Sequence, residues 1–416
     1  MLINPKMDLI DFSKSDIEPP LSLMAISAVL ENDHNVSILD ANLFRMDSDG
    51  VRREIERVRP DIIGTTARTP KKYYSIHGLV KFTVDVRDKK PFLRLFSHLD
   101  MEYDHFEVEP FDDPDITFTI GDFTPDLSDC KVIDHTYYIR KGYIYYKQSV
   151  KIAKWESEIS GFEGGVVKVR IKSNYPGYWF FVGYVVEAII NFTLLRKGAC
   201  FIHASAMEKD GKAYIFPGRS GIGKTTFCLY MMDKGYRFIS DDLVILKDHD
   251  AYSYPIWLHI FSYHLKTVPT YNEHLSSKRK AEVFLKYILH KASFGYAKIF
   301  TFMKFGELFP KVNIADSAKI EKAIFLIGSN GGMHSKADLD KSNSVNRLVH
   351  IMRIEFNTFR DVIDSYGVVF PESQFARQFD AMKDLLNASW NFPTKVISLG
   401  FIDKEAVDFL EGELGG

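Results

Sequence analysis

The spacing of hydrophobic residues changes several times within the first 75 positions and predicts alternating strands and helices. The short apolar runs LINP, NVSILDAN and DIIGTTART are typical of buried strands. Between them, PPLSLMAISAVLEN has the period of an amphipathic helix, and VRREIERVRP has the same period with more charge. Strands that alternate with helices predict a parallel α/β unit, which we assign to residues 1–75.

Strand-like patterns dominate the next region, residues 76–175. The segments ITFTIGDF, HTYYIRKGYIYYKQ and GGVVKVRIKSN are rich in β-branched and aromatic residues, which favour strands. Lys141 and Gly142 lie in the middle of the second segment, where a hairpin turn is expected. We therefore predict a β-rich, antiparallel middle region.

A long apolar stretch, GYWFFVGYVVEAIINFTLL, occupies residues 177–195 at the start of the third region, residues 176–416. Its length is close to the roughly 20 residues of a membrane-spanning helix. Glu187 and Asn191 interrupt it one helical turn apart, and a carboxylate at mid-bilayer costs about 2.5–3.5 kcal/mol. We interpret the stretch as a buried core helix that ends at Lys197-Gly198.

Most of the residues that could take part in catalysis or ligand binding lie in residues 202–226, IHASAMEKDGKAYIFPGRSGIGKTT. Residues 218–225 match the phosphate-loop pattern G-x-x-x-x-G-K-[ST], between a predicted strand and a predicted helix that runs from Lys224 to Lys234. The glycines allow backbone N–H groups to converge on a phosphate, Lys224 adds a positive charge, and Thr225 offers a hydroxyl to Mg²⁺. The residues expected around the nucleotide are Gly218, Ser220, Gly221, Ile222, Gly223, Lys224, Thr225 and Thr226. A glycine-rich turn that binds nothing is the alternative, and it leaves Lys224 unexplained.

Two acidic residues follow the next predicted strand, in YRFISDDLVIL. In phosphate-loop proteins an aspartate at the end of a neighbouring strand holds Mg²⁺. Of Asp241 and Asp242, one can serve the metal while the other takes a proton from an attacking hydroxyl. The pair would also suit a simple polar turn, but the upstream loop favours the chemical interpretation.

His203 lies on the strand that precedes the loop strand, with a turn predicted at Lys209-Asp210-Gly211. If the two strands pair, His203 approaches the nucleotide end of the sheet. The alternative is a core histidine with a satisfied hydrogen bond.

Together, HAS (203–205), GRSGIGKTT (218–226) and ISDDLVIL (239–246) resemble the HPr kinase/phosphorylase family and its relatives. The resemblance implies a phosphate-loop kinase core shared with phosphoenolpyruvate carboxykinases, built on a central mixed sheet. It implies that Asp242 is the general base, that Asp241 and Thr225 serve Mg²⁺, and that His203 lies beside the acceptor or the γ-phosphate. It further implies ATP as the phosphoryl donor, with GTP as the alternative, and assembly into a homo-oligomer.

The sequence departs from this family at two places. Arg219 stands where bacterial HPr kinases carry an acidic residue, and the downstream signature E-x-R-G-x-G has no counterpart. We therefore expect neither HPr as the substrate nor the reverse, phosphorylase reaction.

The amino-terminal segment resembles the opening half of the cobalamin-binding domain that precedes many radical S-adenosylmethionine enzymes. The resemblance covers LINP, PPLSLMAISAVLENDHNVSILDAN and PDIIGTTARTP. The cobalamin motif D-x-H-x-x-G and the cluster motif C-x-x-x-C-x-x-C are absent from the sequence, so we expect no cobalamin there.

Composition narrows the choice of partners and compartment. The 53 Lys and Arg residues nearly balance the 55 Asp and Glu residues, so the net charge creates no overall electrostatic field that would attract nucleic acid or a membrane. The three cysteines fit no metal or disulfide spacing, and the start of the sequence lacks an export signal, which predicts a cytoplasmic protein.

The sequence thus predicts an α/β protein, α+β overall, with an N-terminal α/β half-domain, a β-rich middle region and a C-terminal HPr-kinase-like core. Our functional hypothesis is an ATP- and Mg²⁺-dependent kinase that phosphorylates an unidentified hydroxyl on a small molecule, peptide or protein. The alternative is a non-catalytic ATP-binding switch or scaffold. A carboxykinase would need a second metal site and a substrate-binding arginine, and neither is identifiable.

Overall fold

The computed structural model describes residues 2–4, 36–40, 48–60, 64–65, 71–87, 103–174, 176–179, 181–256, 258–260, 275–292, 301–304, 306, 314–330, 335–400 and 404–414. The chain divides into two compact units, Met1–Lys71 and Lys72–Gly416. Two large mixed sheets with their helices make this an α/β protein, as predicted. The finer three-part division stays a prediction. Within the ranges given, no helix is both long and apolar enough to cross a membrane.

The first unit contains a small parallel sheet. Its strands are β1 (Leu2–Asn4), β2 (Ile38–Asp40) and β3 (Gly64–Thr65), in the order β2-β1-β3. Both pairings are parallel, which confirms the interpretation of the three apolar runs. Helix α1 (Ser48–Val58) is the predicted charged helix. The other predicted helix, PPLSLMAISAVLEN, lies outside the described residues.

The second unit begins with an eight-stranded sheet in the order β4-β5-β6-β11-β10-β9-β8-β7. Its strands are β4 (Lys72–Ile76), β5 (Val80–Val86), β6 (Ile116–Ile120), β7 (Lys131–Ile133), β8 (Tyr137–Arg140), β9 (Tyr143–Val150), β10 (Ala153–Ser160) and β11 (Val167–Ser173). The predicted hairpin joins β8 to β9, and Gly142 turns it with a φ of 67°.

The prediction of an antiparallel middle region is wrong at its centre. Strand β6 pairs in parallel with both β5 and β11, while the remaining neighbours in this sheet are antiparallel. A tight turn forces antiparallel pairing, whereas the long connections before and after β6 allow the chain to return in the same direction. Strand patterns alone do not distinguish the two cases.

The described part of the apolar stretch at the start of the third region is helical and packs in the core, as predicted. It consists of a 3₁₀ turn (Pro176–Trp179), a π-helical turn (Val182–Val186) and α2 (Glu187–Arg196), and Gly198 follows with a φ of 73°. Oδ1 of Asn191 accepts a hydrogen bond from the backbone N–H of Phe201 at 2.8 Å. The polar residue inside the apolar stretch therefore ties the helix to the first strand of the next sheet.

Most of the described strands after α2 build the sheet that carries the site. The described strands are β12 (Ala199–Lys209), β13 (Lys212–Pro217), β14 (Arg237–Ser240), β15 (Leu243–Lys247), β16 (Asp250–Tyr252), β17 (Leu258–Ile260), β18 (Thr301–Met303), β19 (Ser317–Gly328), β20 (Ser335–Asp338) and β21 (Thr394–Leu399). Strands β17 and β18 form a separate ribbon. Five strands form a closed ring of pairings, in the order β13, β12, β15, β16 and β19. The ring is closed because β19 also pairs in parallel with β13.

Helices cover this sheet in two hydrophobic clusters. The remaining helices are α3 (Lys224–Asp233), α4 (Ser277–Ala292), α5 (Lys341–Glu355), α6 (Asn357–Val369), α7 (Gln378–Ser389) and α8 (Lys404–Gly412). Helices α2, α5 and α7 share one cluster with β12, whereas α3 and α8 share the other with β13. Residues 199–208 of β12 are all buried, as expected for a central strand covered on both faces.

Candidate active site

The glycine-rich loop, residues 218–223, connects β13 to α3. A Cβ atom at Gly218 would lie 2.9 Å from the backbone oxygen of Leu326, so any larger residue would displace the neighbouring strand. Gly223 precedes the helix with a φ of 93°, a conformation that residues with side chains rarely adopt. Helix α3 begins at Lys224, and its first backbone N–H groups have no partner within the helix. Such a helix start favours a phosphate.

Lys224 is buried, and its ammonium group contacts the loop and β12. Nζ donates to the backbone oxygens of Gly218 at 2.8 Å and Arg219 at 3.3 Å. It also lies 2.9 Å from Nε2 of His203. A lysine has three N–H donors, and these three contacts account for all of them. Burial lowers the pKa of Lys224, and the nearby carboxylates oppose that effect.

The pairing of β12 with β13 brings His203 to the loop. The hairpin between these strands turns at Asp210 and Gly211, which have φ values of 54° and 81°. At the other end of the pair, the backbone N–H of Gly218 donates to the backbone oxygen of His203 at 3.4 Å. The histidine and the first loop residue are therefore neighbours across the sheet.

The imidazole of His203 is neutral in this environment. Burial is the largest of the effects that together lower its pKa to about 4; Lys224 and Arg219 act in the same direction, whereas Asp242 opposes them. Because Nε2 accepts from Lys224, the ring proton is on Nδ1. The hydroxyl of Ser220 lies 3.5 Å from the same Nε2. The ring thus lies close to the side chains of Lys224, Ser220 and Asp242.

Asp241 lies in the turn between β14 and β15 and contacts the start of α3. The hydroxyl of Thr225 donates to Oδ2 of Asp241 at 2.6 Å. Its other oxygen, Oδ1, is buried and has no hydrogen-bond partner among the described residues. Burial, and secondarily the charge of Asp242, raise the pKa of Asp241 to about 6. A buried carboxylate oxygen without a donor is suited to a cation.

Thr225 and Asp241 fit the requirements of Mg²⁺ bound with a nucleotide. No group of three or more His, Cys, Asp or Glu side chains in the described part of the chain could hold a metal by itself. Mg²⁺ in nucleotide sites takes only one or two protein oxygens and completes its shell with phosphates and water. These two residues therefore match that pattern.

Asp242 has an unusual backbone and a half-exposed side chain. Its φ is 81°, and its backbone oxygen accepts from the N–H of Ala204 at 3.1 Å. Oδ1 lies 3.5 Å from Nδ1 of His203, which is long for a hydrogen bond, and the side chain is 46% exposed. The carboxylate can therefore meet a molecule that enters from solvent. Left-handed backbone at a residue other than glycine costs about 1–3 kcal/mol and often occurs at functional sites.

The three remaining predicted residues take different positions. Gly221 lies within the loop with a φ of 86°. Thr226 is buried in the first turn of α3. The side chain of Ile222 packs beneath the loop, where its Cγ2 would lie 3.2 Å from a Cβ at Gly218. The structure therefore brings all the predicted site residues to one end of the sheet.

The sequence analysis missed one acidic residue at this site, Glu355. Its Oε1 lies 3.6 Å from Nε2 of His203, and its side chain is 24% exposed. Burial and Asp242 raise the pKa of Glu355, while Lys224 and Arg219 lower it. In the sequence Glu355 is only one more charged residue near the end of a helix, so no local signal marks it.

Comparison with known proteins gives no sequence match and a distant structural similarity. No family model matches the chain, and no curated protein matches it. Among solved structures, part of the chain is similar to the Hpr(Ser) kinase/phosphatase from Coxiella burnetii, with 10% identity and a TM-score of 0.23. That similarity covers 51% of this chain and 87% of the other. A similarity at this level is distant.

Proposed function

We propose that this protein is an ATP- and Mg²⁺-dependent kinase that transfers a phosphoryl group to a hydroxyl of a small molecule, peptide or protein. The contact between the Thr225 hydroxyl and Asp241 Oδ2, at 2.6 Å, carries the proposal. It joins the last residue of the phosphate-loop pattern to a carboxylate at the end of a neighbouring strand, which is the arrangement that phosphate-loop enzymes use for Mg²⁺. A glycine-rich turn without a ligand would have no need for this contact.

The residues around the loop have separate roles in the proposed reaction. Lys224 and the N-terminus of α3 attract the phosphates by charge and by backbone N–H groups. Thr225 and Asp241 would hold Mg²⁺, which would neutralise part of the phosphate charge. In the structure, Nε2 of His203 accepts a hydrogen bond from Lys224, and Nδ1 faces Asp242. The ring therefore links the phosphate-binding part of the site to the carboxylate nearest to solvent.

Asp242 is the general base in this proposal. Its carboxylate takes the proton of the acceptor hydroxyl as the hydroxyl oxygen bonds to the γ-phosphorus, and ADP leaves with the electrons of the broken P–O bond. Partial exposure of the side chain supports this role because the acceptor must reach it from solvent. Asp241, which contacts Thr225, is more buried and suits the metal.

The test is the Asp242→Asn variant, examined for nucleotide binding and for phosphoryl transfer. Labelled ATP and a pool of metabolites and peptides first identify an acceptor for the parent protein. We expect the variant to bind Mg-ATP within about threefold of the parent and to transfer phosphate at least about 100-fold more slowly, because general bases contribute about 10²–10⁴-fold. Calorimetry measures the affinity for Mg-ATP, and the label measures the rate of phosphoryl transfer.

Asp338→Asn is the matched control, because Asp338 is an exposed carboxylate at the end of β20. It should leave both quantities unchanged. A parent rate in Asp242→Asn would refute the assignment of the base. A parent protein that binds ATP but labels no acceptor would instead favour the switch or scaffold.

A further inference from the structure

Glu355 reaches the site from a helix that is distant in sequence. It is the last residue of α5, and Phe356, which is buried, separates α5 from α6. One turn earlier on the same helix, Sδ of Met352 accepts from the backbone N–H of His203 at 3.0 Å. Residues three apart lie on the same face of a helix, so α5 presents both side chains to His203.

The position of Glu355 is electrostatically unfavourable. The carboxyl-terminal end of a helix carries partial negative charge and disfavours an acidic side chain. Burial and the neighbouring Asp242 also oppose a negative charge there, and together they raise the pKa of Glu355. Local conflicts of this kind are expected at functional sites.

Glu355 and Lys224 converge on the same nitrogen. Nε2 of His203 lies 2.9 Å from Nζ of Lys224 and 3.6 Å from Oε1 of Glu355. The unprotonated nitrogen of an imidazole has one lone pair and accepts one strong hydrogen bond. In the structure Lys224 donates that hydrogen bond, and Oε1 of Glu355 is slightly too far from Nε2 to form a second one.

The proposed function requires Lys224 to direct its charge to the nucleotide phosphates. Its three N–H groups now contact His203 and two backbone oxygens, so at least one of these contacts must be exchanged. If Lys224 leaves Nε2, a buried ring nitrogen loses its donor, which costs about 1–3 kcal/mol unless another donor takes over.

We propose that Glu355 is a positioning residue that becomes the hydrogen-bond partner of His203 Nε2 when Lys224 engages the nucleotide. This inference rests on the proposed function. The carboxyl group needs to move less than 1 Å to reach hydrogen-bond distance. In its protonated form it donates O–H to Nε2, and the raised pKa of Glu355 favours that form. The ring then keeps its proton on Nδ1, directed toward Asp242.

The experiment compares Glu355→Ala with Glu355→Gln, because a glutamine amide can donate to Nε2 and alanine cannot. Glu372→Ala is the control, since the side chain of Glu372 is 88% exposed. Calorimetry measures the affinity for a non-hydrolysable ATP analogue with Mg²⁺. NMR of ¹⁵N-histidine-labelled full-length protein reports the tautomer and the order of the His203 ring, assigned with His203→Gln. Neither measurement needs an acceptor.

With the analogue bound, we expect parent and Glu355→Gln to show one ordered ring with its proton on Nδ1. Glu355→Ala should show a mixture of tautomers or a broadened signal, with analogue affinity within about threefold of the parent. Once an acceptor is known, kcat should fall about tenfold in Glu355→Ala and stay within about threefold in Glu355→Gln. If Glu355→Ala is unstable, Glu355→Met replaces it, because methionine keeps the length and offers no donor.

The outcomes separate this inference from the proposed function. A parent protein that binds no nucleotide refutes both. Nucleotide binding with the same His203 signal in Glu355→Ala as in the parent refutes only the role of Glu355. Equal impairment of Glu355→Gln and Glu355→Ala also overturns it, because the amide supplies the hydrogen bond that the proposal requires.

Discussion

Acid should destabilise this protein through one buried side chain, His203. The imidazole is 2% exposed, and burial lowers its pKa to about 4 from an ordinary value of 6.5. The folded protein therefore binds a proton at this ring much less readily than the unfolded chain does. Below pH 6.5 protonation favours the unfolded chain, so the stabilisation is complete above pH 6.5 and is lost as the pH falls toward 4.

The magnitude follows from the two pKa values. The difference between 6.5 and about 4 corresponds to about 3 kcal/mol of unfolding free energy, of which about 2.5 kcal/mol is lost by pH 4.5. Other groups titrate over the same interval, so the effect must be read as a difference between two proteins. His203→Gln lacks the titrating ring. Its stability relative to the parent should therefore improve by about 2–3 kcal/mol between pH 7.5 and pH 4.5.

Urea unfolding at a series of pH values, without nucleotide or Mg²⁺, measures this difference. The matched control is His350→Gln, since His350 is an exposed residue on α5. Its stability should follow that of the parent at every pH. A difference between His203→Gln and the parent that stays constant from pH 7.5 to pH 4.5 would refute the burial of a neutral ring.

Two further substitutions test the loop. Thr225→Val removes the hydroxyl that donates to Asp241, so it should abolish the increase in ATP affinity that Mg²⁺ gives the parent protein. Calorimetry with and without Mg²⁺ measures this increase. A variant in which Mg²⁺ raises the ATP affinity as much as in the parent would contradict the prediction. Gly218→Ala forces a Cβ to 2.9 Å from the Leu326 oxygen and should cost about 1–3 kcal/mol in urea unfolding. Gly164→Ala, with no atom within 4 Å of the new Cβ, is its control, and equal losses in both would argue against the steric explanation.

Much of the candidate site could be predicted because its signals are local. The loop pattern predicted the strand, the bend and the start of α3 at Lys224, and the structure has all three. The Asp241-Asp242 pair falls between two strands, as the pattern of YRFISDDLVIL indicated. Backbone geometry and hydrogen bonding within a few residues decide such features, so the sequence alone contains them.

Other features depend on contacts between distant parts of the chain. Glu355 could not be identified, because its position follows from the packing of α5 on β12 through Met352. The parallel pairing of β6 was missed because chain direction across a sheet depends on long connections. The π-helical turn at Val182–Val186 was also unexpected, since apolar periodicity does not distinguish it from an ordinary helix.

The amino-acid sequence by itself determined the alternation of strands and helices, the glycine-rich bend before α3 and the position of the Asp241-Asp242 pair between two strands. Each of these follows from the conformational preferences of neighbouring residues. Only the tertiary structure decided that His203 lies between Lys224, Asp242 and Glu355, and that its ring is neutral. Burial and charge are collective properties of segments brought together by folding, so the protonation of the site cannot be assigned from any one of them.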